Sequence, residues 1–259
     1  MQKLVKGIHS FQRGFFASHR ALFEQLATTG QQPETLFITC SDSRVVPNLI
    51  TNAAPGELFI VRNVGNVVPH MDLPGGTAAA IQYAVEVLNV ENIIVCGHTQ
   101  CGALKAILDP ESVAHLEYVR RWVKSTIDVK KVIEEKYSHL EGEAKLTAAI
   151  QENVLAQLEH LREYPFVASR MDAGKLQVNG WIFDVGKGAV FDYDPEHGEF
   201  LALGGSIWNG SCAPFAHVFA ANDCTCSCSN VDRAGGLGRE TKESIAGSPL
   251  GYWLRFGDD

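Results

Sequence analysis

The sequence predicts an α/β fold in which a central, mostly parallel β-sheet is flanked by helices. Short and nearly continuous apolar runs at residues 35–39, 57–62 and 92–96 are typical of strands buried on both faces. A segment of helical period, residues 77–88, lies between the second and third runs. This strand–helix–strand order indicates parallel strands joined by right-handed crossovers.

Residues 1–29 are predicted to form a helix with one apolar face. Large apolar side chains recur there at nearly helical spacing, namely Leu4, Ile8, Phe11, Phe15, Leu22 and Leu26. Residues 30–33, which include a glycine and a proline, end the pattern. Such a face can pack on its own domain or on a second subunit.

Two long amphipathic helices are predicted after the third strand, and the second has an apolar face from Leu146 to Leu161. Residues 176–185 and 189–193 are predicted to form a hairpin at the edge of the sheet. After about residue 205, Gly, Ser, Asn and Cys dominate and the apolar period is lost. We therefore expect one complete domain at residues 1–205 and an extension at residues 206–259.

Composition excludes several classes of protein. The chain has 22 Lys and Arg against 30 Asp and Glu, a net charge of −8, which argues against nucleic acid as the main partner. No apolar run approaches the roughly 18 residues of a membrane span, and no secretory signal is visible. We therefore expect a cytoplasmic protein whose seven cysteines are metal ligands, catalytic groups or buried residues.

Three potential metal ligands follow two of the predicted strands. Cys40 directly follows the first strand, and His98 and Cys101 follow the third. Sites in open α/β sheets lie outside the carboxyl ends of the strands, so the two loops should face each other. Two thiolates and one imidazole leave a fourth position open, as in catalytic zinc sites, and thiolates disfavour Mg²⁺ and Ca²⁺. Cys96, inside its strand, is interpreted as a packing residue.

Asp42 and Arg44 are the candidate catalytic residues beside this site. Alternation within a short loop puts both side chains on one side, close enough for a charge-assisted hydrogen bond. A carboxylate held by arginine stays ionised and can accept a proton from a zinc-bound hydroxide, which orients its oxygen toward a substrate. Two alternatives stay open: the pair is a structural salt bridge, or Asp42 becomes a fourth zinc ligand that closes the site.

These segments together resemble the β-class carbonic anhydrases, especially the plant and cyanobacterial enzymes and their bacterial relatives. The motifs are CSDSR at residues 40–44, RNVGN at 62–66, CGHTQCG at 96–102 and GWIF at 180–183. The resemblance implies the β-carbonic anhydrase fold in residues 1–205. It also implies zinc-dependent, reversible hydration of CO2 to bicarbonate and a proton, by attack of hydroxide bound to one zinc ion per chain.

The resemblance further implies a substrate pocket and a homodimer. Gln31 matches a substrate-binding glutamine of the family, and Phe59, Val64 and Tyr83 match its apolar and aromatic wall. Gln31 and the backbone N–H of Gly102 could hydrogen-bond the oxygen that becomes negative. The N-terminal helix is expected to lie on the neighbouring subunit, with pocket residues contributed across the interface and larger oligomers built from dimers.

Alternatives to this function are a related zinc hydrolase acting on CS2 or COS, and a non-catalytic, zinc-stabilised scaffold. A thiol enzyme with Cys40 as its nucleophile is a further possibility. The extension could recruit a scaffold partner, and a carboxysome-like compartment is an alternative location. In the extension, Cys224, Cys226 and Cys228 could bind a second soft metal, although their spacing is shorter than that of zinc fingers.

Overall fold

A computed structural model describes residues 1–124 and 126–203 of the chain. Within them, six strands form one sheet in the order β2-β1-β3-β4-β5-β6. The strands are β1 (Thr35–Cys40), β2 (Leu58–Asn63), β3 (Asn92–His98), β4 (Gln177–Asp184), β5 (Ala189–Asp194) and β6 (Glu199–Ala202). β1 to β4 pair in parallel, and β5 pairs antiparallel with both β4 and β6, which confirms the mostly parallel sheet. The predicted hairpin is β4–β5, but the edge of the sheet is β6, which sequence patterning missed.

Helices cover much of the remaining described chain. They are α1 (Gln2–Arg13), α2 (Phe15–Ser18), α3 (Arg20–Thr29), α4 (Pro47–Thr51), α5 (Gly76–Gln82), α6 (Gly102–Leu108), α7 (Glu117–Lys124), α8 (Ile127–Lys136), α9 (Gly142–Glu163) and α10 (Pro165–Asp172). A π-helical turn, Tyr83–Val87, continues α5. Of the two long helices predicted after β3, the second is α9. The prediction of the first long helix is wrong, because that region of the chain is divided among α6, α7 and α8.

The N-terminal segment is helical, but the prediction of one continuous helix is wrong. Gly14 and His19 leave helical geometry and separate α1, α2 and α3. The breaks gather four phenylalanine rings, whose centroids lie 5.1 to 6.2 Å apart; these are Phe11, Phe15, Phe16 and Phe23. No residue of α1 or α3 is buried in the chain, so Leu4 and Ile8 remain exposed.

The core that supports the site lies between α9 and the centre of the sheet. Ile150, Val154 and Leu158 of α9 are buried against this face. Gly97 of β3 and Gly180 of β4 permit the close approach, because a Cβ on either would lie within 3.0 Å of a Val154 methyl group. The strand that ends at His98 is therefore packed directly against α9.

We expect Gly97→Ala to lower the melting temperature by several degrees. The added methyl group would meet Val154 Cγ2 at 2.9 Å and Ile150 Cγ2 at 3.4 Å. Overpacking of this kind costs about 1–3 kcal/mol, and each kcal/mol shifts the melting temperature by about 2–4 °C in a chain of this size. Differential scanning calorimetry measures the shift.

Two variants control this experiment. Gly76→Ala in α5 should not lower the melting temperature, because its Cβ would meet nothing within 4 Å and alanine favours helix. Adding Val154→Ala to Gly97→Ala should cost less than the two single changes summed, since it removes the clashing methyl groups. Unchanged stability in Gly97→Ala would contradict the close packing described above.

Two further expectations concern membrane-spanning segments and the C-terminal extension. No helix among the described residues is both long and apolar enough to cross a bilayer. The expected extension, with Cys212, Cys224, Cys226 and Cys228, lies outside the described residues. Its boundary at residue 206 and its role therefore stay predictions.

Candidate metal centre

The carboxyl ends of β1 and β3 bring the three predicted metal ligands together. Cys40 is the last residue of β1 and His98 is the last residue of β3, its parallel neighbour. Cys101 directly precedes α6. The chain reaches it through Gln100, whose φ of 58° is a left-handed conformation that is uncommon outside glycine. This turn brings Cys101 back to His98.

The ligand atoms of these residues converge in a buried space. They lie within 4.8 Å of one another, and the Sγ atoms of Cys40 and Cys101 are 4.0 Å apart. The His98 ring has its Nδ1 2.9 Å from the carbonyl oxygen of Thr99. We assign the N–H to Nδ1, because a carbonyl can only accept, so Nε2 carries a free lone pair.

The chemistry of this donor set fits zinc. His98 Nε2 is buried and has no hydrogen-bond partner among the described residues, which is costly unless another group occupies the space. Two sulfurs and one imidazole nitrogen are the ligands of a catalytic zinc site with an open position. Cys40, His98 and Cys101 would hold the ion.

The contacts of the cysteine pair favour negative charge on Cys40. A hydrogen bond from the Cys101 thiol lowers the pKa of Cys40, and the same interaction raises the pKa of Cys101. The Gly65 N–H also donates to Cys40 Sγ at 3.4 Å. In contrast, burial raises the pKa of Cys96 to about 12, and its side chain packs with Phe37 and Ile94. Such surroundings fit the packing role predicted for Cys96.

Asp42 and Arg44 form a bidentate ion pair beside the three metal ligands. Arg44 Nε donates to Asp42 Oδ1 at 2.9 Å, and Arg44 Nη2 donates to Asp42 Oδ2 at 2.7 Å. The Arg44 side chain and backbone N–H hold the pKa of Asp42 well below its usual range. Asp42 Oδ2 lies 3.9 Å from His98 Nε2. The carboxylate is thus ionised and adjacent to the ligand set, as the sequence predicts.

Arg62 fixes the loop that carries Asp42, a role that sequence reasoning missed. Its guanidinium donates to three backbone carbonyls, at 3.2 Å to Cys40, 2.6 Å to Asp42 and 2.7 Å to Val45. Its position in the apolar run of β2 was the available signal, because a charge in such a strand needs partners.

A chain of buried amides connects α9 to the loop after β2. Gln157 Oε1 accepts from the Val68 N–H at 2.7 Å, and its Nε2 donates to Asn153 Oδ1 at 3.1 Å. Asn153 Nδ2 then donates to the carbonyl oxygen of Gly65 at 3.1 Å. Gly65 has a φ of 87°, and a Cβ there would lie 3.0 Å from the Ala103 Cβ. These amides hold the glycine whose N–H reaches Cys40.

Two of the predicted pocket residues lie next to the ligand loops. Val64 directly follows β2, whose last residue pairs with Cys40. Its side chain is exposed, and its carbonyl oxygen accepts a hydrogen bond from the Trp122 indole at 2.6 Å. Gly102 is the first residue of α6, next to Cys101. Both residues therefore border the loops that carry the ligand set.

The other three pocket residues lie toward the amino ends of the strands, away from the ligand set. Phe59 pairs with Leu36 in the register of β1 and β2, about 13 Å along the strand from Cys40 at the usual rise per residue. Tyr83 is next to Phe59, with ring centroids 6.0 Å apart. Gln31 precedes the amino end of β1. A single chain therefore does not bring these three to its own ligand cluster.

Comparison with known proteins identifies the family. A family model described as carbonic anhydrase matches residues 35–190. A carbonic anhydrase of Synechocystis sp. is 46% identical over 204 residues, which cover 78% of this chain and 74% of the relative. The solved structure of the β-carbonic anhydrase CcaA is 45% identical with a TM-score of 0.77, and the match covers 78% of this chain and 99% of that one.

Structural similarity extends to more distant enzymes. A structure from work on two tetrameric β-carbonic anhydrases of the ascomycete Sordaria macrospora is 28% identical, with a TM-score of 0.68. That match covers 74% of this chain and 95% of the fungal one. With the family model, the close relatives and the ligand geometry in agreement, the chain belongs to the β-class carbonic anhydrases.

Proposed function

We propose that this chain catalyses the reversible hydration of CO2 to bicarbonate and a proton, with one zinc ion held by Cys40, His98 and Cys101. The observation that carries this proposal is the unpaired, buried Nε2 of His98 between two thiols, with an ionised carboxylate beside it. When bound, zinc lowers the pKa of a water toward about 7, which supplies hydroxide near neutral pH.

Asp42 then orients the nucleophile. Its ionised carboxylate accepts a hydrogen bond from the O–H of the attacking oxygen and cannot donate one, so a lone pair of that oxygen turns toward CO2. Arg44 keeps the carboxylate charged and fixes both of its oxygens. Because Arg44 Nη2 also donates to the Gln100 carbonyl at 3.3 Å, the ion pair is tied to the loop that carries His98 and Cys101.

The bordering residues suit an uncharged substrate that becomes an anion. Val64 offers an apolar surface to linear CO2. The N–H of Gly102 lies in the first turn of α6, where backbone N–H groups have no partner within the helix. That N–H stabilises the oxygen on which negative charge develops.

We assign the remaining pocket residues to a second subunit and propose a homodimer as the minimal unit. Gln31, Phe59 and Tyr83 lie too far from Cys40 in the same chain, whereas a partner could present them. The uncovered apolar residues of α1 support this arrangement, since exposed apolar surface of this kind marks interaction sites. The tetrameric Sordaria relatives support oligomerisation.

The double variant Leu4→Glu and Ile8→Glu should reduce the association of subunits. The two residues lie one helical turn apart and are 66% and 55% exposed in the chain, so two charges there would oppose apolar packing on a partner. Multi-angle light scattering should show a species of lower mass, and a separate assay should show lower CO2 hydration activity. Lys6→Glu, on another face of α1, should retain the native mass. A double variant with unchanged mass would contradict the proposed role of α1.

Stopped-flow CO2 hydration by the zinc-loaded protein tests the proposed function. We expect readily measured hydration above pH 8, where any state closed by Asp42 should have opened. Undetectable hydration with full zinc would overturn the proposal, and assays with CS2 and COS would then test the related hydrolase. Neither that alternative nor the scaffold receives support from the relatives described above. Cytoplasmic location and a scaffold partner of the extension stay predictions.

A further inference from the structure

We propose that His70, Asp128 and His160 form a second metal site, which binds a divalent transition-metal ion such as Zn²⁺. Their ligand atoms lie within 4.8 Å of one another. His70 belongs to the loop after β2, Asp128 to the first turn of α8 and His160 to the last turns of α9. The site shares no residue with the catalytic ligand set.

The contacts of His160 call for a proton or a cation between its ring and Asp128. Its side chain is buried, and its Nδ1 lies 2.8 Å from the carbonyl oxygen of Val68, so we assign the N–H to Nδ1. Nε2 then directs a lone pair at Asp128 Oδ2, 3.1 Å away. Two acceptors at this distance repel each other unless a proton or a metal ion lies between them.

The second histidine favours a metal ion over a proton. The rings of His70 and His160 have centroids 3.9 Å apart, and His70 Nδ1 lies 2.9 Å from Glu163 Oε2. A proton between His160 Nε2 and Asp128 would neutralise only this pair and would place an imidazolium ring against the His70 ring at this separation. One divalent ion could instead be bound by the Asp128 carboxylate and by both rings in their neutral form.

The outer contacts are those of a metal site. Metal-bound histidines usually donate their other ring N–H to a carboxylate or a backbone carbonyl, which are the partners of His70 and His160 here. Two imidazoles and one carboxylate suit Zn²⁺ and its first-row neighbours. The side chains of His70 and Asp128 are 39% and 40% exposed, so an ion can enter from solvent.

Cobalt titration of the zinc-loaded, full-length enzyme tests this proposal. Co²⁺ bound by imidazole and carboxylate gives visible d–d bands without the near-ultraviolet sulfur-to-metal bands of a cysteine site. We expect wild-type enzyme to develop such bands with saturation near one added cobalt per chain. His70→Gln and Asp128→Asn should each lose them while retaining CO2 hydration, which shows that both variants are folded.

His197→Gln is the matched control. His197 lies 2.7 Å from Asp194 in an exposed pair, and no group that could hold a metal includes it among the described residues. This variant should bind cobalt like the wild type. Absence of the bands in wild-type enzyme, bands of the sulfur type alone, or equal binding by all the variants would overturn the proposal.

Discussion

Cys40→Ser should lose zinc and, with it, CO2 hydration. The substitution replaces a buried thiolate ligand by a hydroxyl, which stays protonated near neutral pH and is a poor ligand for zinc. Changes to outer-shell residues alone lower metal affinity about 10–100-fold, so loss of a direct ligand should exceed roughly 100-fold. Metal analysis after dialysis and stopped-flow CO2 hydration measure the two effects.

Cys96→Ser is the control for this variant. Cys96 is also buried and lies on β3, but its side chain contacts the Phe37 and Ile94 cluster instead of the ligand set. It should retain zinc and activity even if its stability falls. A Cys40→Ser protein with full zinc and wild-type activity would contradict the ligand assignment. Full zinc with no activity would instead favour Cys40 as a nucleophile.

The sheet and the ligand set could be predicted because they depend on local pattern and one topological rule. The apolar runs that became β1, β2 and β3 are too short for helices and too apolar for exposed strands. Once they are parallel, residues after their carboxyl ends must lie at the same end of the sheet. Cys40 and His98 lie at that end by the register of β1 and β3.

The errors have different physical causes. β6 is only four residues long, with two exposed residues at its end, so its pairing with β5 depends on the hairpin turn more than on its own pattern. The breaks at Gly14 and His19 interrupt a segment whose apolar period is otherwise helical. There the packing of four phenylalanine rings competes with helix continuity. The period of apolar residues in the sequence carries no information about such tertiary packing.

The supporting polar contacts were beyond prediction because they join residues far apart in sequence. Gln157 and Val68 are hydrogen-bonded across 89 positions. A buried glutamine on a helix reveals that a partner must exist but not where it lies. The proposed division of the pocket is similar, because the family resemblance assigns Gln31 and Phe59 to a pocket without showing which chain presents them to a given ligand set.

Asp42→Asn should lower kcat/KM by about 10²- to 10⁴-fold, the usual contribution of a positioned acid–base group, while zinc content stays at the wild-type level. Asparagine has nearly the same shape, but its amide can donate a hydrogen bond and cannot hold the O–H of the nucleophile as a carboxylate does. Asp194→Asn is the control, because His197 similarly lowers the pKa of Asp194 outside the site. It should leave kcat/KM unchanged.

Arg44→Lys separates the charge of this arginine from its geometry. Lysine retains the positive charge but lacks the planar fork that binds both Asp42 oxygens, so kcat/KM should fall by less than in Asp42→Asn. The folded pKa of Asp42 lies below its unfolded value, so the pair stabilises the protein above the unfolded pKa, and this stabilisation is lost as the pH falls toward the folded value. In Arg44→Lys the folded pKa should lie closer to the unfolded value, so the stabilisation is smaller and the midpoint of acid unfolding, followed by circular dichroism, should move to higher pH. An unchanged acid transition together with wild-type kcat/KM would show that the ion pair does not hold Asp42 for catalysis.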